Sequence, residues 1–120
     1  MSHTVLVVED DLDIRQALME ILEDHGFTAL GARDGAEALG LLSRATELPC
    51  LILLDLMMPV MDGATFRETQ RSDPRLASIP VVVLSAHRDL QAQAGSLDAV
   101  SILRKPPSLR ELVSVLQAHC

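Results

Sequence analysis

An α/β fold built on a five-stranded parallel sheet is predicted by three observations on this 120-residue sequence. First, Val5 to Val8, Leu51 to Leu54 and Val81 to Leu84 are continuously apolar and each then meets a polar residue, as strands buried on both faces do. Second, amphipathic helical patterns alternate with these runs, which is the order of a parallel sheet with crossover helices. Third, 48% of the residues are hydrophobic and 22% charged, enough apolar material for the core of one domain spanning residues 1–120.

Taken in order, the first strand is Val5 to Val8. Ile14, Ala17, Leu18, Ile21 and Leu22 then recur at the spacing of one buried helix face, and Gly26 ends that helix. Phe27 to Ala32, interrupted by Thr28 and Gly31, is a less buried strand suited to a sheet edge. Asp34-Gly35-Ala36-Glu37 reads as a capping box that opens a second helix near Gly35. After the third strand, Leu51 to Leu54, the loop Pro59-Val60-Met61-Asp62-Gly63 leads into a helix that ends by Asp73-Pro74. Val81 to Leu84 is the fourth strand, followed by a short polar helix from about Arg88 to Ala94 that stops at Gly95. Ala99 to Leu103, interrupted by Ser101, is the second edge strand. Ser108-Leu109-Arg110-Glu111 caps the last helix, with Leu109, Leu112, Val113 and Leu116 as its apolar stripe. Five strands and five helices, with the three most apolar strands in the middle, give the order 2-1-3-4-5. This is the flavodoxin-like doubly wound arrangement, whose ligands bind at the carboxyl ends, at the switch point between strands 1 and 3.

Lys and Arg number 10 against 17 Asp and Glu, a formal net charge of −7. Such a chain repels phosphate backbones and anionic lipid. With no Trp or Tyr and only Phe27 and Phe66, it also lacks a stacking platform for single-stranded nucleic acid, which is excluded as a direct ligand. No apolar run approaches a membrane span, and no basic segment precedes an apolar stretch at the start, so the chain is read as soluble from its own Met1. Cys50 and Cys120 are not expected to form a disulfide framework, and no Cys/His set has zinc-ligand spacing; a reducing cytoplasm fits.

The predicted strand ends face one crevice: Glu9-Asp10-Asp11, then Asp55, then Ser85-Ala86, then Lys105-Pro106. Asp11 reads as a helix cap. Glu9, Asp10 and Asp55 gathered at the mouth of an apolar sheet repel one another unless a cation or a proton offsets them, which points to a metal site. All the donors on offer are oxygens, including the carbonyl exposed after Asp55. An incomplete protein shell with room for water and a phosphoryl oxygen suits Mg²⁺ better than Ca²⁺. Ser85 adds a hydroxyl and Lys105 a cation, the groups needed to hold the remaining oxygens of a phosphoryl group.

The ordered set Val7-Val8-Glu9-Asp10-Asp11, Leu54-Asp55-Leu56-Met57-Met58-Pro59 with Asp62-Gly63, Leu84-Ser85-Ala86 and Lys105-Pro106 resembles the receiver domain of bacterial response regulators over essentially the whole chain. The resemblance implies that Asp55 is the phosphoacceptor for a histidine-bound phosphoryl group of a sensor histidine kinase or phosphotransfer protein. It implies that Asp10 and the Met57 carbonyl bind Mg²⁺ directly and Glu9 through water. Ser85 and Lys105 would hold the phosphoryl oxygens, and the Lys105-Pro106 peptide would be cis. The domain would catalyse its own phosphorylation and dephosphorylation without turning over an external substrate. The switched surface would comprise the helix after strand 4, strand 5 and the last helix, read by an output domain or effector protein, with a phosphorylation-dependent dimer left open. Carboxylate nucleophile, Mg²⁺ and Lys105 are also what phosphoryl transfer asks for chemically, since it rests on in-line positioning and charge neutralisation.

Two positions depart from the family pattern. Ile102 stands three residues before Lys105, where an aromatic residue is common; it is β-branched and cannot hydrogen-bond as a Tyr would. Pro107 stands where a Phe commonly follows Lys-Pro. Met57 and His87, two residues beyond Asp55 and Ser85, flank the approach of a hydrolytic water. Met57 is expected to obstruct it, and His87 to position it or, as a cation, to hold phosphoryl oxygens; the alternative is a solvated His87. A haloacid-dehalogenase-type phosphohydrolase needs an acid at position 57, where Met57 has no transferable proton. A flavin module needs an uncharged loop where Glu9-Asp10-Asp11 stand.

Overall fold

The computed structural model describes residues 3–55, 61–85, 99–105 and 107–120. Its strands are β1 (Thr4–Val8), β2 (Thr28–Ala32), β3 (Leu51–Asp55), β4 (Val81–Ser85) and β5 (Ser101–Arg104). They form one parallel sheet in the order β2-β1-β3-β4-β5. Four helices lie among the described residues: α1 (Leu12–Asp24), α2 (Gly35–Arg44), α3 (Gly63–Ser72) and α4 (Leu109–His119). The polar helix expected from about Arg88 to Ala94 falls outside them.

Alternation along the central strands sorts the core into two layers. Leu6, Val8, Ile52, Leu54, Val81 and Val83 face one side, under Ala38 and Leu42 of α2 and Phe66 of α3. Val5, Val7, Leu51, Leu53, Val82 and Leu84 face the other, under Leu18 and Leu22 of α1 and Leu112, Val115 and Leu116 of α4. Burial on both faces explains why these strands read as unbroken apolar runs.

Each described helix starts at a side-chain cap: Asp11, Asp34, Asp62 and Ser108 accept from the backbone N–H groups of Ile14, Glu37, Thr65 and Glu111. The box at α2 is modified, because Glu37 returns to the Arg33 N–H. Gly26 follows α1 with φ +87°, the left-handed residue that closes a helix. Some boundaries and faces shift from expectation. β2 begins at Thr28 and β5 spans Ser101–Arg104, because the ladder to β4 runs from Val82↔Ser101 to Ser85↔Arg104. Ala17 is exposed, and Leu109 in the capped first turn of α4 is 53% exposed. Val115, not Val113, completes the buried stripe of α4 with Leu112 and Leu116.

The expectation that the cysteines stay unpaired is overturned. Cys50, just before β3, and Cys120, at the end of α4, form a disulfide with Cα atoms 5.4 Å apart across a sequence separation of 70. The fold brings the amino end of a central strand beside the carboxyl end of a covering helix, a proximity that local sequence does not contain. The cysteine argument for a reducing compartment therefore falls. No helix among the described residues is long and apolar enough to cross a membrane.

Candidate functional site

The crevice lies at the carboxyl edge of the sheet, where β1 and β3 are neighbours. Val8 pairs with Leu54, so Glu9 and Asp55 follow side by side. Asp55 pairs with Leu84 and Ser85 with Arg104, which brings the ends of β4 and β5 to the same edge. Glu9 is fully buried and Asp55 is 3% exposed, whereas Asp10 is open to solvent. Carboxylate oxygens of Glu9, Asp10 and Asp55 all lie within 4.8 Å of one another. Lys105 reaches in from the end of β5, with Nζ 2.5 Å from Glu9 Oε2 and 3.0 Å from Asp55 Oδ2.

Several contacts hold Glu9 in place. Its N–H donates to the Ala32 carbonyl at 2.9 Å, and its Oε1 accepts from the Asp11 N–H at 3.2 Å. Arg15 Nη1 donates to its carbonyl at 2.8 Å. Arg15 is a supporting residue that sequence reasoning missed; an arginine one turn into α1 after an acidic strand end is the signal that was there to read. Glu9 Oε2 meets the Lys105 ammonium, and no other donor among the described residues reaches it.

The electrostatics follow from this packing. Burial, reinforced by the Asp55 charge, pushes the Glu9 carboxyl up to about 7, while hydrogen bonds from Lys105 and the Asp11 N–H pull the other way. For Lys105 burial acts to lower the pKa, but hydrogen bonds to Glu9 and Asp55 outweigh it and the net shift is upward. In this arrangement the ammonium is the counter-ion of two buried carboxylates. A buried carboxylate oxygen whose partner among the described residues is the Lys105 ammonium, within an all-oxygen cluster, is also suited to a hard divalent cation.

Of the residues singled out from sequence, Glu9, Asp10, Asp55 and Lys105 come together. Ser85 closes β4 at the same edge; its side chain, like Met57, Ala86, His87 and Pro106, lies outside the described residues. Ile102 is half-buried, pairs with Val83 and packs against the core layer that includes Phe66. Asp11 caps α1 as expected, and His25 ends it with Nδ1 2.9 Å from the Ile21 carbonyl.

Residues 5–117 match the family model described as the response regulator receiver domain. The chain belongs to that family. Across 120 residues it is 36% identical to the response regulator MprA of Mycobacterium ulcerans, an alignment covering 98% of this chain and 50% of the relative. This receiver domain thus spans about half the length of that curated relative. Among solved structures, it is similar to the Vibrio cholerae chemotaxis protein CheY4, with TM-score 0.89, 29% identity and full coverage of both chains. It is also similar to the signal receiver domain of a signal transduction histidine kinase from Syntrophus aciditrophicus, with TM-score 0.84 and 32% identity over 98% of this chain and 89% of the other. Receiver domains are signalling switches of two-component systems that work with histidine kinases and output domains, not enzymes that turn over a substrate.

Proposed function

We propose that this receiver domain is a Mg²⁺-dependent phosphoacceptor whose Asp55 takes a phosphoryl group from a phosphohistidine of a sensor kinase or phosphotransfer protein. The observation that carries the reading is the placement of Asp55 beside Glu9, Asp10 and Lys105 at the strand ends. Mg²⁺ would be held by Asp10, Asp55 and the Met57 carbonyl, with Glu9 through water, and would supply charge neutralisation for the phosphoryl oxygens. A carboxylate oxygen of Asp55 forms the new O–P bond in line as the P–N bond to the donor imidazole breaks, and the imidazole leaves carrying a proton. Lys105, already 3.0 Å from Asp55, follows the growing negative charge, and Ser85 donates its hydroxyl to another phosphoryl oxygen. Ile102 packs into the core in the described structure, so an aliphatic side chain takes the place of a swinging aromatic ring. By the family resemblance Met57 would obstruct hydrolytic water, with Ala86, His87, Ile102 and Pro106 as the further modulating positions.

The resulting aspartyl phosphate is a switch read through the β5 and α4 surface by an output domain or effector. The test is intact-mass measurement after incubation with Mg²⁺ and a small phosphodonor. The parent gains one phosphoryl group and Asp55→Asn gains none while keeping its circular dichroism. Full labelling of Asp55→Asn would assign the acceptor elsewhere.

A further inference from the structure

At the opposite end of the sheet from the acidic crevice, the Cys50 and Cys120 bridge joins the start of β3 to the end of α4. Backbone hydrogen bonds hold both residues independently of their sulfurs. The Cys50 N–H donates to the Thr4 carbonyl at 2.9 Å, and the Cys120 N–H donates to the Leu116 carbonyl at 2.8 Å. Their Cα separation of 5.4 Å lies where unstrained backbones accept a disulfide. Once opened, the Cys50 thiol still has an acceptor, the Thr4 carbonyl oxygen 3.3 Å from Sγ. Both cysteines pack against the core layer beneath α1 and α4, yet both remain partly exposed and within reach of an attacking thiolate.

Beyond the bridge, the last turn of α4 is held by helical hydrogen bonds such as that from the Cys120 N–H to the Leu116 carbonyl, with little side-chain burial. Leu112, Val115 and Leu116 are buried, but Gln117, Ala118 and His119 are all exposed. Helix ends that bury little apolar surface open locally at small free-energy cost.

We propose that Cys50 and Cys120 form a redox-modification site, opened and closed by thiol–disulfide exchange, that fastens the last turn of α4 to the start of β3. In the opening direction, a thiolate of a dithiol attacks one sulfur of the bridge, forming a mixed disulfide and releasing the other cysteine as a thiolate that takes up a proton. The second thiol of the reagent then displaces the mixed disulfide. The protein gains two electrons and two protons, and the dithiol leaves as its cyclic disulfide. Closing reverses these steps with a disulfide such as glutathione disulfide as oxidant. Consequences for signalling through α4 rest on the phosphoacceptor reading; the exchange reaction does not.

The experiment is amide hydrogen exchange by mass spectrometry on the folded protein, oxidised with glutathione disulfide and then reduced with dithiothreitol in native buffer. Intact mass and thiol alkylation report the bridge. Reduction should raise exchange in residues 117–120 by about tenfold or more and leave β1 and β3 protected. Reoxidation should restore the first pattern. Cys120→Ser and Cys50→Ser should show the reduced pattern with or without dithiol. Asp55→Asn should behave as the parent, which separates this result from the fate of the phosphoacceptor reading. Three results would overturn the proposal: no bridge in the folded oxidised protein, reduction that requires denaturant, or equal exchange at residues 117–120 in both redox states.

Discussion

Lys105 Nζ stands 2.5 Å from Glu9 Oε2, and the carboxylate it meets is fully buried. Truncating one member of such a pair leaves the other without a counter-charge. For fully buried pairs the cost is about 3–5 kcal/mol, and the partly exposed lysine here reduces that. Lys105→Met is therefore expected to lower metal-free stability by about 2 kcal/mol. Saturating Mg²⁺ should recover more stability in the variant than in the parent, because the cation no longer competes with an ammonium for the same oxygens. Thermal melts in EDTA and in Mg²⁺ measure both effects; equal EDTA melts for parent and variant would remove Lys105 as the counter-ion.

Glu9 should make the metal-free protein lose stability as pH rises. Its folded pKa of about 7 lies above the ordinary value of 4.5, so between those limits the native state binds more protons than the unfolded chain. The contribution of Glu9 is thus greatest at the acid end of that window and declines toward pH 7. Other carboxylates titrate as well, so the measured quantity is the difference between parent and Glu9→Gln in urea midpoints from pH 4.5 to 7.5. That difference should shift toward the variant with rising pH in EDTA, and the trend should weaken in Mg²⁺, which favours the ionised carboxylate.

Gly35 opens α2 against the loop residue Met61. A Cβ there would come 2.9 Å from Met61 Cγ and Sδ and 3.1 Å from the Met61 carbonyl oxygen. The thioether can move aside, but the backbone oxygen cannot without displacing the loop. Gly35→Ala is expected to destabilise by about 1 kcal/mol, crowding outweighing the better helix propensity of alanine. Met61→Ala in the same chain should return part of the loss, read as non-additivity in chemical denaturation.

Gln70 is fully buried on α3, and its Nε2 donates to the carbonyls of Leu76 and Ile79 at 2.9 and 3.1 Å while its Oε1 accepts from Arg67 at 2.8 Å. Gln70→Leu keeps the volume but strands those buried partners. A loss of about 2–3 kcal/mol is expected, visible as a lower urea midpoint with unchanged slope. A near-neutral result would mean that water replaces the amide.

The paired strand ends were legible because a parallel sheet buried on both faces writes its strands as apolar runs, and the first polar residue after each run marks the carboxyl edge. Glu9, Asp55 and Ser85 could be placed at one edge on that basis, with Lys105 just past the interrupted edge strand, and three of the four described helix starts could be read from the caps Asp11, Asp34 and Ser108. Contacts set by distant segments left no such mark. Arg75 donates to the carbonyls of Leu42 and Ala45 at the end of α2, thirty or more residues earlier in the chain. Arg67 and Gln70 look like ordinary polar positions of a surface helix, yet both are buried.

By itself, then, the sequence determined the sheet order, the helix caps and the gathering of acids and a lysine at one crevice, because periodicity and capping are local physics. Only the tertiary structure decided that Lys105 neutralises Glu9 and Asp55, that Arg15 supports the Glu9 carbonyl, and that Cys50 meets Cys120. Those relationships depend on where strand ends and helix ends arrive after packing, and a separation of 70 residues carries no local signal of a distance of 5.4 Å.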